Sequence, residues 1–178
     1  MAGRLDAQQL ATLARAITKL GAPARGTLVA LAKAARAGMA RFNAQDLDNL
    51  AAGFSRHELH FNSPKLVAAL ARAGARLLDA QQMPPRNTAN LLAAVAKLAS
   101  TSTQQRAGGV RALAAAAARQ IAADAGAFNL RDLANAAWGL AILQQQQAEE
   151  EEALRQAQQL AARQASIAEE ERRLQVNI

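Results

Sequence analysis

One helical block returns four times along this 178-residue chain: LDAQQLATLARAITKL from position 5, FNAQDLDNLAAGFSRH from 42, MPPRNTANLLAAVAKL from 83 and FNLRDLANAAWGLAIL from 128. Recurrence at steps of about 37–45 residues marks a stacked repeat protein, because a single unit of that size cannot bury its own apolar face and needs a neighbour to do so. The expected fold class is all-α: a right-handed α-solenoid of stacked helical hairpins over residues 1–143, followed by an extended C-terminal helix over 144–178. An array of this kind offers a long surface to a partner rather than an enclosed pocket.

The blocks align column by column. An apolar seam runs Leu10, Leu13, Ile17, Leu20 in the first, Leu47, Leu50, Phe54 in the second, Leu91, Val95, Leu98 in the third and Leu133, Leu140, Leu143 in the fourth. Steps of three and four put these side chains on one helix face; Thr88, His57 and Ala136 interrupt the seam. Helix starts recur as well. Asp6 with Gln9, Asn43 with Asp46 and Asn129 with Asp132 each read as an N-cap followed three residues later by an acceptor, while Pro84 and Pro85 open the third block.

Between the first helices lie second helices of similar character. TLVALAKAARAGMA is expected to follow a turn from Gly21 to Gly26, and SPKLVAALARAGARLLDA begins with Ser63 as N-cap and Pro64 at the first helical position. GVRALAAAAARQIAADAG is mostly alanine, which favours helix and close backbone approach but buries little area per residue. Residues 81–87 and 99–109 read as loops. The opening segment, arginine-bearing and poor in acid like a transit peptide, matches the repeat columns and reads as the first unit of a truncated array.

Charge divides the chain. Up to residue 143, seventeen Lys and Arg stand against seven Asp and Glu, a net +10; beyond it, four stand against seven, a net −3. A basic array attracts phosphate backbones without regard to sequence, although cations also keep an alanine-rich surface soluble. With no cysteine, disulfides and thiolate metal sites are excluded, and no apolar run long enough to span a membrane occurs. In the tail, Glu151 with Arg155 and Glu169 with Arg173 are favourable i, i+4 pairs. Leu160, Ile167 and Leu174 recur every seven residues, but the matching heptad position holds Ala157, Gln164 and Glu171, a poor coiled-coil seam. An extended, solvated helix that frays into disorder is expected, with a dimerising coil as the alternative and a protein partner open to the helix.

The helix face opposite the seam carries the candidate binding residues. Its columns hold Gln8, Thr12, Arg15 and Lys19 in the first unit, and Gln45, Asn49, Ala52 and Arg56 in the second. The third holds Arg86, Asn90, Ala93 and Lys97, and the fourth Arg131, Asn135, Trp138 and Ile142. Side-by-side stacking would turn these into a stripe of amides crossed by a stripe of cations. Amides pair a donor with an acceptor, as reading a base edge requires, and Arg and Lys fix phosphates. Each column has a structural reading too. The sameness of Asn49, Asn90 and Asn135 suits a shared hydrogen bond between units, and Gln9, Asp46, Asn87 and Asp132 suit capping. Lys19, Arg56 and Lys97 also answer the helix dipole, and Trp138 either stacks on a base or packs against a neighbouring unit.

FNAQDLDNLAAGFSRH and FNLRDLANAAWGLAIL resemble the octotricopeptide repeat of organellar RNA-binding proteins in green algae, whose first helix reads as an aromatic, a short polar cap, Leu-Ala-Asn and a Trp-Ala-Leu-like stretch. Helical repeats of FAST-kinase-like and RAP-type organellar proteins look similar. The resemblance covers about residues 5–143 and is closest in LRDLANAAWGLAIL. It implies a solenoid without cofactor that binds single-stranded RNA in the chloroplast, or alternatively the mitochondrion, and supports transcript stability, processing, splicing or translation.

Two other classes compete. His57 and His60 have H-x-x-H spacing, but Glu58 lies in the wrong frame for a metalloprotease motif, and neither a phosphate loop nor a nucleophile elbow is present. Neither a metal nor an enzyme is expected. An armadillo-like scaffold would instead use the same groove for an acidic peptide or partner.

Overall fold

The computed structural model describes residues 5–20, 25–55, 63–100 and 107–176, and their regular structure is entirely helical. Seven α-helices follow in order: α1 (Ala7–Leu20), α2 (Arg25–Gly38), α3 (Ala44–Ser55), α4 (Pro64–Asp79), α5 (Pro85–Ser100), α6 (Ala107–Ala123) and α7 (Leu130–Val176). Short 3-10 turns at Met39–Arg41 and Ala125–Ala127 lead into α3 and α7. The described chain divides into two compact units, residues 1–143 and 144–178.

Local chemistry sets the helix starts. The Asp6 carboxylate accepts from the Gln9 amide at 2.8 Å while the Gln9 side chain accepts from the Asp6 amide at 3.0 Å, a reciprocal capping box. Asn43 and Asp46 repeat it at 2.8 and 3.3 Å, and Asn129 accepts from the Asp132 amide at 2.8 Å. The third block starts at Pro85, and the Pro84 carbonyl accepts from the Thr88 amide at 3.0 Å. Ser63 stands at the N-cap of α4, yet its side chain makes no capping bond; its carbonyl takes the Leu66 and Val67 amides instead. Ser63 is therefore a cap by position only.

Within the first unit, first helices pack on first helices and second on second: α1 lies along α3 and α3 along α5, while α2 meets α4 and α4 lies along α6. The core between them includes Leu28, Leu47, Leu50, Phe54, Leu66, Leu70, Leu91, Leu92, Val95 and Leu113, all fully buried. Close stacking depends on glycine at one repeat column. A Cβ on Gly53 of α3 would stand 2.9 Å from the Ala14 carbonyl carbon and the Arg15 nitrogen of α1; one on Gly139 of α7 would stand 2.9 Å from the Leu92 carbonyl carbon of α5. Backbone lies against backbone at both joints, so no side chain fits between. At the first, the Thr18 hydroxyl donates to the Gly53 carbonyl at 2.7 Å.

Several expectations change. Leu13 and Leu20 of the seam are exposed, with none of the described helices packed over them. α2 begins at Arg25, so Gly26 belongs to its first turn; residues 21–24 lie outside the described residues. Helix reaches into both expected loops, since α5 takes in residues 85–87 and 99–100 and α6 begins at Ala107. The α4–α5 turn closes as a Schellman motif. Gln82 donates to the Leu77 carbonyl at 2.8 Å and Gln81 to Leu78 at 2.9 Å, with Gln81 at φ 55, the left-handed position that glycine usually fills. Thr88, a break in the seam, is fully buried and pairs its hydroxyl with Gln120 of α6 at 2.7 Å, while Gln120 donates to the Met83 carbonyl at 2.7 Å. A polar group thus ties α5 to α6 where a leucine would have filled space.

Candidate nucleic-acid interface

The first helices turn their apolar stripe inward except at Leu13 and Leu20 of α1, and much of the opposite stripe is exposed. Gln8, Thr12, Arg15 and Lys19 on α1, Gln45 on α3, Arg86 and Lys97 on α5, and Arg131 and Trp138 on α7 are exposed; Asn49, Ala52, Asn90, Ala93, Asn135 and Ile142 are partly buried. Arg56, with His57 and His60, lies outside the described residues. Among the described residues no group of three or more His, Asp and Glu side chains is placed to hold a metal ion.

Side-chain contacts join this face from helix to helix. The Arg15 guanidinium of α1 donates to Asn49 Oδ1 of α3. One residue earlier on α3, Asp48 Oδ2 accepts from Asn90 Nδ2 of α5 at 3.0 Å and from Asn87 Nδ2 at 3.3 Å. The Lys97 ammonium of α5 sits 5.7 Å from the centre of the Trp138 ring, within cation–π range. Between α1 and α3 an open cleft of about 320 Å3 is lined by Arg15, Thr18, Lys19, Ala52 and Gly53. Lys19 and Lys97 also stand in the last turns of their helices, where a cation opposes the dipole.

These bonds bear on the structural reading of the asparagine column. Asn49 and Asn90 are each engaged by a neighbouring helix. The outermost column of Gln8, Gln45, Arg86 and Arg131 stays exposed and varied. The side chains of Gln9 and Asp46 serve helix starts as expected; Asp132 contributes its backbone amide to Asn129, and Asn87 instead reaches across to Asp48. Trp138, at 43% exposure, keeps much of its ring open beside Lys97.

Asp48 is the residue that the column pattern passed over. It occupies a column that holds Ala11, Ala89 and Ala134 in the other units, and that departure from alanine is the signal that would have found it. Burial pushes its carboxyl above the ordinary 3.8, while the Asn90 bond, the Arg15 and Arg86 guanidinia and the Asn87 bond pull the other way. The acid is thus set in the cationic face, within the fields of cations from α1 and α5. No family model matches the chain, and no match was found among curated proteins or solved structures.

Proposed function

We propose that this chain is an α-solenoid that binds single-stranded RNA sequence-selectively and serves organellar post-transcriptional gene expression, as the resemblance of its blocks to octotricopeptide repeats implies. The observation that carries the reading is the linked face of α1, α3, α5 and the start of α7: Arg15 bonded to Asn49, Asp48 bonded to Asn90, and Lys97 beside Trp138. Lys19, Arg15, Arg86, Lys97 and Arg131 supply the phosphate contacts that set position, and the exposed Trp138 ring supplies a stacking surface for an unpaired base. Gln8 and Gln45 are the amides left to read base edges. The location is the chloroplast or, in the alternative, the mitochondrion. Leu154, Leu160 and Ile167, exposed on the tail, suit a protein partner there.

The test is binding of the full chain to a randomised single-stranded RNA pool at two salt concentrations, with duplex DNA and an acidic peptide as competitors. Recovery of a short motif that survives the higher salt supports transcript recognition. Salt-labile binding without a motif would leave a basic scaffold, and displacement by the peptide alone would move the armadillo-like reading to first place.

A further inference from the structure

A phosphate-binding face has no electrostatic use for a carboxylate, yet Asp48 stands in this one, within the fields of both Arg15 of α1 and Arg86 of α5. Its orientation is built. Oδ2 is held by two amide donors from α5, at 3.0 and 3.3 Å, which occupies both lone pairs of that oxygen. Oδ1 has no hydrogen-bond partner among the described residues and is not fully enclosed, which leaves it as the carboxylate's unused acceptor. Arg15 and Arg86 attract phosphates, while the carboxylate within their fields repels one. A strand whose phosphates follow the cations would therefore present a base, rather than its backbone, to Asp48.

We infer that Asp48 is a specificity-determining residue that accepts a hydrogen bond from the amino group of an unpaired base and excludes uracil from one position of the bound RNA. The inference rests on the RNA-binding reading above and deepens it. A carboxylate is an acceptor only. Cytosine, adenine and guanine each present an exocyclic amino group, and cytosine N4 pairs with carboxylates in base recognition. Uracil has no amino group, and its one imino N–H lies between two carbonyl oxygens whose lone pairs oppose the carboxylate. The Asn87 and Asn90 clamps keep Oδ1 from turning away, so a uracil would leave a partly desolvated charge unmatched.

Full-length protein and its Asp48→Asn variant are each presented with the randomised single-stranded RNA pool, and the recovered motifs are compared. Asparagine can still accept from Asn87 and Asn90 through its oxygen while offering an amide donor outward, and circular dichroism checks that the helices remain. Wild type should deplete uracil at one motif position by about tenfold, and Asp48→Asn should admit uracil there with the other positions unchanged. A second measurement needs no variant: replacing the selected base by its analogue lacking the amino group, inosine for guanosine or purine riboside for adenosine, should weaken wild-type binding by about tenfold at that position alone. If Asp48→Asn tightens binding to every sequence equally, or the analogue binds as well as the parent, Asp48 only shapes the field and the inference is wrong while RNA binding stands. If wild type recovers no RNA, both readings fall together.

Discussion

Asp48 and Gly53 show how much a single position on α3 carries. A carboxyl raised in the folded chain binds its proton more tightly there than when unfolded. Its contribution to stability is therefore complete below the ordinary value of 3.8 and is lost as pH rises through the raised folded value. Asp48→Asn removes that dependence. Its unfolding free energy relative to wild type, from urea melts, should be most favourable at neutral pH and should shrink on acidification toward pH ~4; a constant difference would mean that burial does not govern this carboxyl. Gly53 makes a steric demand instead. Gly53→Ala sets a methyl against the Ala14 and Arg15 backbone and should cost about 1–3 kcal/mol in the same melts. Gly26→Ala, where nothing lies within 4 Å of the new carbon, should be neutral or stabilising.

At the scale of the helix, starts are written in side chains only where the side chain reaches the backbone. Asn43 and Asp46 satisfy each other's amides, whereas Ser63 makes no such bond and leaves the start of α4 to Pro64 and the backbone. Asn43→Ala should therefore lower stability by about 1 kcal/mol, and Ser63→Ala should change it by less than about 0.5 kcal/mol, both by thermal or urea unfolding. Equal losses would show that Ser63 caps in solution after all. The capping boxes at Asp6 and Asn43 were legible in the sequence because the partners lie three residues apart. The bond between Thr88 and Gln120 was not, since its partners are 32 residues apart and meet only because α5 packs on α6.

At the scale of the whole first unit, Arg15, Lys19, Arg86, Lys97 and Arg131 are carried on first helices. Replacing Arg86, Lys97 and Arg131 together by alanine touches exposed positions only, so helicity and unfolding should hold. If each contacts a phosphate, the slope of log affinity against log salt for single-stranded RNA should flatten by about 2. An unchanged slope would move the RNA off this face. The linked contacts also make neighbouring units interdependent: Arg15 holds Asn49 and Asp48 holds Asn90, so changes at these positions are expected to couple in double-mutant cycles rather than add.

The sequence by itself determined the helical class, the inward stripe of Leu47, Leu50, Leu91 and Val95, and most helix starts, because periodicity, capping and proline act within a few residues of themselves. It also showed which columns face outward at Gln8, Gln45, Arg86 and Arg131. Only the tertiary structure showed which of the neighbouring asparagines are held by other helices. Nothing near Asn49 or Asn90 in the sequence announces their partners, because Arg15 and Asp48 reach them from other helices. The exposure of Leu13 and Leu20 was likewise invisible to periodicity, which reports which face is apolar but not whether a neighbour covers it. Burial and cross-helix hydrogen bonds are properties of packed neighbours, so they emerge only when the units meet.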